Sequence, residues 1–136
     1  MKPTKTRRLY VPDLNLLERL VKELHRTYPE DAIVPMSDLN AVLEAAYWCM
    51  TRRRGDKALW LAAALIYYIV NGHPLVDGNK RLAMLITNET LKNNGYFVPG
   101  RHLESACLRV ATGTLTLKGV YKWLVRKAKR LEEQPS

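Results

Sequence analysis

The chain has 136 residues, the length of one domain built around a single hydrophobic core. Charged residues make up 26% and hydrophobic residues 47%, which excludes a disordered tail and a fibre. The formal net charge of +9 calls for a polyanionic partner: nucleic acid, nucleotide phosphates or an acidic protein.

Residues 1–12 are basic and contain two prolines, so a loosely ordered arm is expected there. Asp13 can cap a first helix in which Leu14, Leu17, Leu20, Val21, Leu24 and Tyr28 form one apolar stripe, and Pro29 stops it. Ser37 can cap a second helix with Leu39, Val42, Leu43, Ala46, Tyr47 and Met50 on one side. After the short basic stretch Thr51–Gly55, Asp56 can cap a third helix from Lys57 to about Asn71. Its centre, Leu61 to Val70, is apolar nearly all round, the pattern of the central helix of a bundle.

Gly72 and Pro74 end that helix, glycine through its tolerance of the left-handed conformation and proline because it cannot continue a helix. A fourth helix is predicted from Asn79 to about Asn94, with Leu82, Leu85, Ile86 and Leu91 inward and Gly95 as its stop. Two more follow, over Arg101–Ala111 and Thr116–Leu131, before a frayed tail at 132–136. With no strand alternation beyond Tyr96–Val98, no repeat and no linker, the expectation is an all-α single domain over 1–136, a compact bundle of about six helices. Trp48, Trp60 and Trp123 are assigned to the core or its margin, and His25 and His102 receive no role.

Cys49 and Cys107 stand alone, without CxxC or a Cys/His cluster, so neither a disulfide framework nor a zinc site is indicated. A reducing cytosol fits. The longest apolar run, Ala58–Val70, is too short to span a bilayer, and a cytoplasmic protein without membrane attachment is expected.

The stretch NGHPLVDGNKRLA, Asn71 to Ala83, interrupts this helical pattern. His73 precedes a proline at the C-terminus of the buried helix, whose partial negative charge stabilises an imidazolium and suits it to accept a proton from a hydroxyl. Asp77 can cap backbone amides or bind a magnesium ion. Gly78 and Asn79 allow a turn that exposes amides at a helix N-terminus, a place for phosphate oxygens. Lys80 and Arg81 add two cations in the first helical turn, opposing the helix dipole unless an anion sits nearby.

His73-Pro-Leu-Val-Asp77-Gly78-Asn79-Lys80-Arg81 resembles the HxFx[DE]GN[GK]R signature of the Fic/Doc (Fido) family, and within it the Doc branch. The likeness extends over about Ser37 to Val98. It implies a compact helical domain that moves part of a nucleoside triphosphate onto a protein hydroxyl. By the resemblance, His73 would be the general base and Asp77 would hold magnesium on the phosphates. Gly78 and Asn79 would line the anion site, and Lys80 and Arg81 would contact phosphates.

Family members that transfer AMP have glycine where this chain has Lys80 and a further arginine where it has Met84; Doc toxins share the lysine. That favours a kinase-like toxin using ATP and magnesium, with elongation factor Tu as the target. Leu75 stands for the usual phenylalanine, and Leu82 where Doc proteins often have threonine. The family's hairpin flap, which clamps the target by strand pairing, is expected at Thr51–Gly55 in shortened form. No [ST]xxxE[GN] inhibitory string occurs, so restraint is expected in trans, from an acidic antitoxin.

Three alternatives stand beside this reading. One is AMP transfer, and another is a degenerate Fido fold kept as a binding partner. The third is a non-catalytic basic module that binds nucleic acid through Arg52–Arg54 and the basic face from Lys118 to Arg130. That face reads first as a solvated helix surface, and no recognition helix or aromatic stacking platform supports nucleic-acid binding.

Overall fold

The computed structural model describes residues 8–131; residues 1–7 of the expected arm and the tail 132–136 lie outside the described residues. Helix α1 (Leu14–Thr27) begins where Asp13 accepts the Leu16 N–H at 2.9 Å. Its buried face is Leu16, Leu17, Val21 and Leu24, while Tyr28 lies at the surface instead of completing the stripe. Residues 9–12 are not loose. Tyr10 exchanges two backbone hydrogen bonds with the Asn94 side chain (2.8 and 3.0 Å), Leu9 packs against the core and Pro12 is buried.

Helix α2 (Leu39–Thr51) is capped by Asp38 rather than Ser37, its carboxylate accepting the Asn40 N–H at 3.0 Å. Leu39, Leu43, Ala46 and Met50 are buried, but Tyr47 and Trp48 face solvent, so Trp48 leaves the set of core tryptophans. Helix α3 (Lys57–Gly72) starts at Asp56, which accepts the Leu59 N–H at 3.0 Å. Every residue from Ala58 to Ile66 is buried, because α3 packs against α2, α4 (Asn79–Asn93), α5 (Gly100–Ala111) and α6 (Leu117–Lys127). An amphipathic stripe would leave one flank wet; the all-round apolar sequence of α3 is what a central position demands. Along α4, Leu82, Ile86 and Leu91 point inward as expected, but Leu85 faces solvent.

The last helix ends at Lys127, not Leu131. Ala128 is extended (φ −72°, ψ 134°), and Lys129–Arg130 (β2) pairs antiparallel with Tyr96–Phe97 (β1). The Leu131 N–H donates to the Gly95 carbonyl at 2.8 Å, and the Arg130 guanidinium lies over the Tyr96 ring at 5.0 Å. The pairing satisfies backbone groups that one further turn of isolated helix would leave to water. Among the described residues the chain is a helical bundle of six helices with one two-stranded ribbon, and none of these helices is long and apolar enough to cross a membrane.

The placement of Thr51–Gly55 overturns the expectation of a shortened flap. This stretch precedes α3, whereas the His73 loop follows it, and sixteen helical residues separate the two ends by about 24 Å. A flap there could not reach the loop. The segment that does lie beside it is Ala32–Met36, between α1 and α2. The Met36 N–H donates to the Pro74 carbonyl (2.9 Å) and the Val76 N–H to the Val34 carbonyl (3.0 Å), forming an antiparallel bridge between Pro35 and Leu75.

Candidate functional site

The loop from Gly72 to Asn79 joins the C-terminus of α3 to the N-terminus of α4. Gly72 stays helical, and His73 itself adopts the left-handed conformation (φ 47°, ψ 58°), the only non-glycine residue with positive φ among the described residues. The helix therefore ends on the histidine, not on the glycine. A non-glycine residue held there, with proline next, costs about 1–3 kcal/mol and persists only where its surroundings enforce it. The enforcement is visible: the His73 N–H donates to the Ile69 carbonyl at 3.1 Å, and Pro74 and Leu75 are buried directly after it. Leu75 is fully buried, as an inward-packing replacement for phenylalanine requires. The imidazole is left exposed at the surface.

Asn79 closes the loop. Its Oδ1 accepts the Leu75 N–H and its Nδ2 donates to the Leu75 carbonyl, both at 2.9 Å. The side chain is thus a staple across the loop, and only its backbone amide faces the helix mouth. Asp77 does not cap α4 either. Its N–H donates to the Ala32 carbonyl at 3.0 Å, and its Oδ2 accepts the Ala32 N–H at a long 3.4 Å. The N-cap of α4 is Gly78 (φ 90°), with no side-chain hydrogen bond to the first turn. Gly78 is required twice over: its φ suits glycine, and a Cβ would come within 2.6 Å of Ile33 Cδ1. The amides opening α4 therefore have no side-chain acceptor, and no acidic residue lies in its first turn.

Lys80 and Arg81 diverge from the helix mouth. Lys80 Nζ pairs with Glu104 Oε2 of α5 at 3.0 Å; Arg81 Nη1 pairs with Asp31 Oδ2 at 2.9 Å and its guanidinium lies 3.8 Å from the Tyr28 ring centre. Both pairs are about half exposed, and such pairs contribute about 0–1 kcal/mol each. Two cations in the first turn oppose the helix dipole by about 0.3–1 kcal/mol each, so the pairs roughly offset that cost and no more.

Sequence reading missed these four partners, Tyr28, Asp31, Ala32 and Glu104. The acids lie 50 and 24 residues from their cations, and no local spacing announces such a contact. Pro29 and Pro35, which bracket a stretch without helical period, were the available hint that 30–36 has a tertiary purpose.

Cys107 lies on α5 near Lys80, but burial pushes its thiol up to about 12, with the Lys80 charge opposing and Glu104 adding to the rise. It is an inert core residue, not a nucleophile. No cluster of three or more His, Cys, Asp or Glu among the described residues could form a metal cage. Two hollows of about 740 and 380 Å³ flank α1, and neither is lined by residues 73–81. At the candidate site His73 and Asp77 are exposed and Gly78 to Arg81 are half-buried.

A family model described as the Fic/DOC family matches residues 15–91, more than half of the chain. The chain belongs to the Fic/DOC family. No curated protein and no solved structure matches it. Members of the Fic/DOC family transfer nucleotidyl or phosphoryl groups to proteins, using ATP and a divalent metal. The matched region runs from α1 almost to the end of α4, so it contains the His73 loop, Asp31 and segment 30–36, while Glu104 lies beyond it.

Proposed function

We propose that this Fic/DOC protein is a Doc-like toxin that moves the γ-phosphoryl group of ATP to a protein hydroxyl. The observation that carries the proposal is the helix mouth: uncapped amides from Gly78 onward, Lys80 and Arg81 in the first turn, and an exposed His73 on the same loop. Phosphoryl transfer asks a protein mainly for positioning and for positive charge on the phosphate oxygens, and this arrangement provides both.

In this reading the amides of Gly78 and Asn79 and the cations of Lys80 and Arg81 bind the phosphates. His73 accepts the proton of the attacking hydroxyl, and its enforced backbone keeps the imidazole outside the packed loop. Magnesium fits as an ion carried on the phosphates and held by one carboxylate, Asp77, because that side chain is exposed and its single hydrogen bond is long. Magnesium would neutralise charge on the transferring group. Asn79 acts through Leu75, keeping the loop closed while the phosphates bind.

Lys80 favours phosphoryl over AMP transfer, as does Met84 where AMP-transferring relatives carry arginine. A translation factor such as elongation factor Tu is the proposed target, and a small acidic antitoxin the proposed restraint. The exposed Arg52, Arg54, Lys118, Lys122, Arg126 and Lys127 give the latter a basic surface. Nucleic-acid binding is the weaker reading, since Arg53 and Arg130 are already engaged with Trp60 and Tyr96.

The test is transfer from labelled ATP to translation factors in a lysate. Label from the γ position that disappears in His73→Ala, by about 10²–10⁴ in rate, supports the proposal. Label from the α position alone establishes AMP transfer instead. A lysate labelled equally by the wild type and by His73→Ala refutes both.

A further inference from the structure

Each cation at the mouth of α4 already has an anion, and neither anion belongs to the loop that carries the cations. Glu104 comes from α5, and Asp31 from the turn after α1. Both pairs are half in water and hold their cation through one carboxylate oxygen, so a phosphate dianion presenting several oxygens competes well for the same guanidinium or ammonium.

The two pairs differ in what else they hold. Glu104 sits within a helix packed on α4, and losing Lys80 leaves α5 in place. Asp31 sits in a turn that Arg81 grips twice, through its carboxylate and through the ring of Tyr28. The next residue, Ala32, bonds the backbone and carboxylate of Asp77, and Ile33 covers Gly78. If Arg81 turns to a phosphate, both of its holds on this turn are lost together. The Met36–Pro74 and Val76–Val34 hydrogen bonds then remain at the other end of the segment as a hinge.

We propose that Asp31 and Glu104 are built-in counter-ions that a phosphate ligand must displace, and that displacement of Asp31 also loosens segment 28–36 over the mouth of α4. The inference rests on the reading of that mouth as a phosphate site. It assigns Asp31 and Glu104 a role in setting affinity, and to Asp31 alone a link between phosphate arrival and the mobility of the segment beside the loop.

The experiment is calorimetric titration of the purified full chain with inorganic pyrophosphate, together with hydrogen exchange at the Asp77 amide, which donates to Ala32, with the Val76 amide of the hinge as the site that should not change. Asp31→Asn and Glu104→Gln should each bind about three- to tenfold more tightly than the wild type at low salt, the gain shrinking as salt rises. Pyrophosphate should speed exchange at Asp77 in the wild type and in Glu104→Gln. In Asp31→Asn exchange should be fast without ligand and unchanged by it, and Asp31→Glu should restore the wild-type pattern. The inference is overturned if both neutral variants bind no more tightly than the wild type while Arg81→Ala still weakens binding, a result that leaves the phosphate site standing. Absence of binding, or binding indifferent to Arg81→Ala and Lys80→Ala, removes the phosphate site and this inference with it.

Discussion

Helix α3 has a polar, glycine-containing stretch at each end, and the two ends do opposite things. At its N-terminus, Asp56 caps the helix through one carboxylate oxygen and accepts the Tyr96 hydroxyl on the other, while its N–H donates to Tyr121 Oη at 3.0 Å. Tyr121 stacks on Trp60 at 3.9 Å between ring centres, Trp60 Nε1 donates to the Arg54 carbonyl at 2.9 Å, and Lys57 Nζ reaches the carbonyls that end α2. Asp56, Lys57, Trp60 and Tyr121 all find internal partners there. At the C-terminus a histidine is held in a strained backbone with its ring in solvent, the next helix has no side-chain cap, and two cations lean on half-exposed acids. Polar residues turned inward on one another stabilise a fold; polar residues left facing outward at a cost are available to a ligand.

The contrast predicts different responses to mutation. Asp56→Ala should be the most damaging change at the first end, removing a cap and orphaning the buried Tyr96 hydroxyl, for a loss of about 2–4 kcal/mol in denaturant unfolding. Gly78→Ala at the other end should cost about 2–3 kcal/mol, since alanine must adopt φ 90° and press on buried Ile33. An unchanged melting temperature in either variant would break the comparison.

Titration separates the ends next. Burial, and then the hydrogen bond and charge of Asp56, push the Tyr96 hydroxyl from its ordinary 10 up to about 12. Between these values the unfolded chain has released that proton and the native one has kept it. The contribution is therefore whole below pH 10 and is lost as pH rises through 12. Thermal melts across that window should show a decline that is shallower in Tyr96→Phe than in the wild type. The smallest effect has the opposite sign. His73→Gly should gain about 0.5–1 kcal/mol by relieving the left-handed backbone while abolishing group transfer. A destabilised His73→Gly would mean that the ring contributes packing.

Much of the helical order was legible, because period and caps are local. Asp13 and Asp56 cap where their positions relative to the apolar runs require, and the all-round apolar centre of α3 announced its burial. The failures have equally physical causes. Ser37 and Asp38 are both competent caps, and only the chain's approach to α2 selects the second. Thr116–Leu131 reads as one helix, yet the chance to pair with Tyr96–Phe97 ends it early. Thr51–Gly55 lies at the far end of α3 from the His73 loop, and sequence order does not say which of two connections folds back on that loop.

The sequence by itself determined the helices, the central one among them, and the gathering of His73, Asp77, Gly78, Asn79, Lys80 and Arg81 into one loop and helix start, since all of these follow from spacing within one stretch of chain. Only the tertiary structure decided which partners they meet. It turned Asn79 into a staple on Leu75, set segment 32–36 beside the loop, and placed Asp31 and Glu104 against the two cations. The contacts of Asp31, Glu104 and segment 32–36 join residues far apart in the chain, and no local propensity encodes them; they exist because α1 and α5 both pack on α4, which brings their ends to one surface.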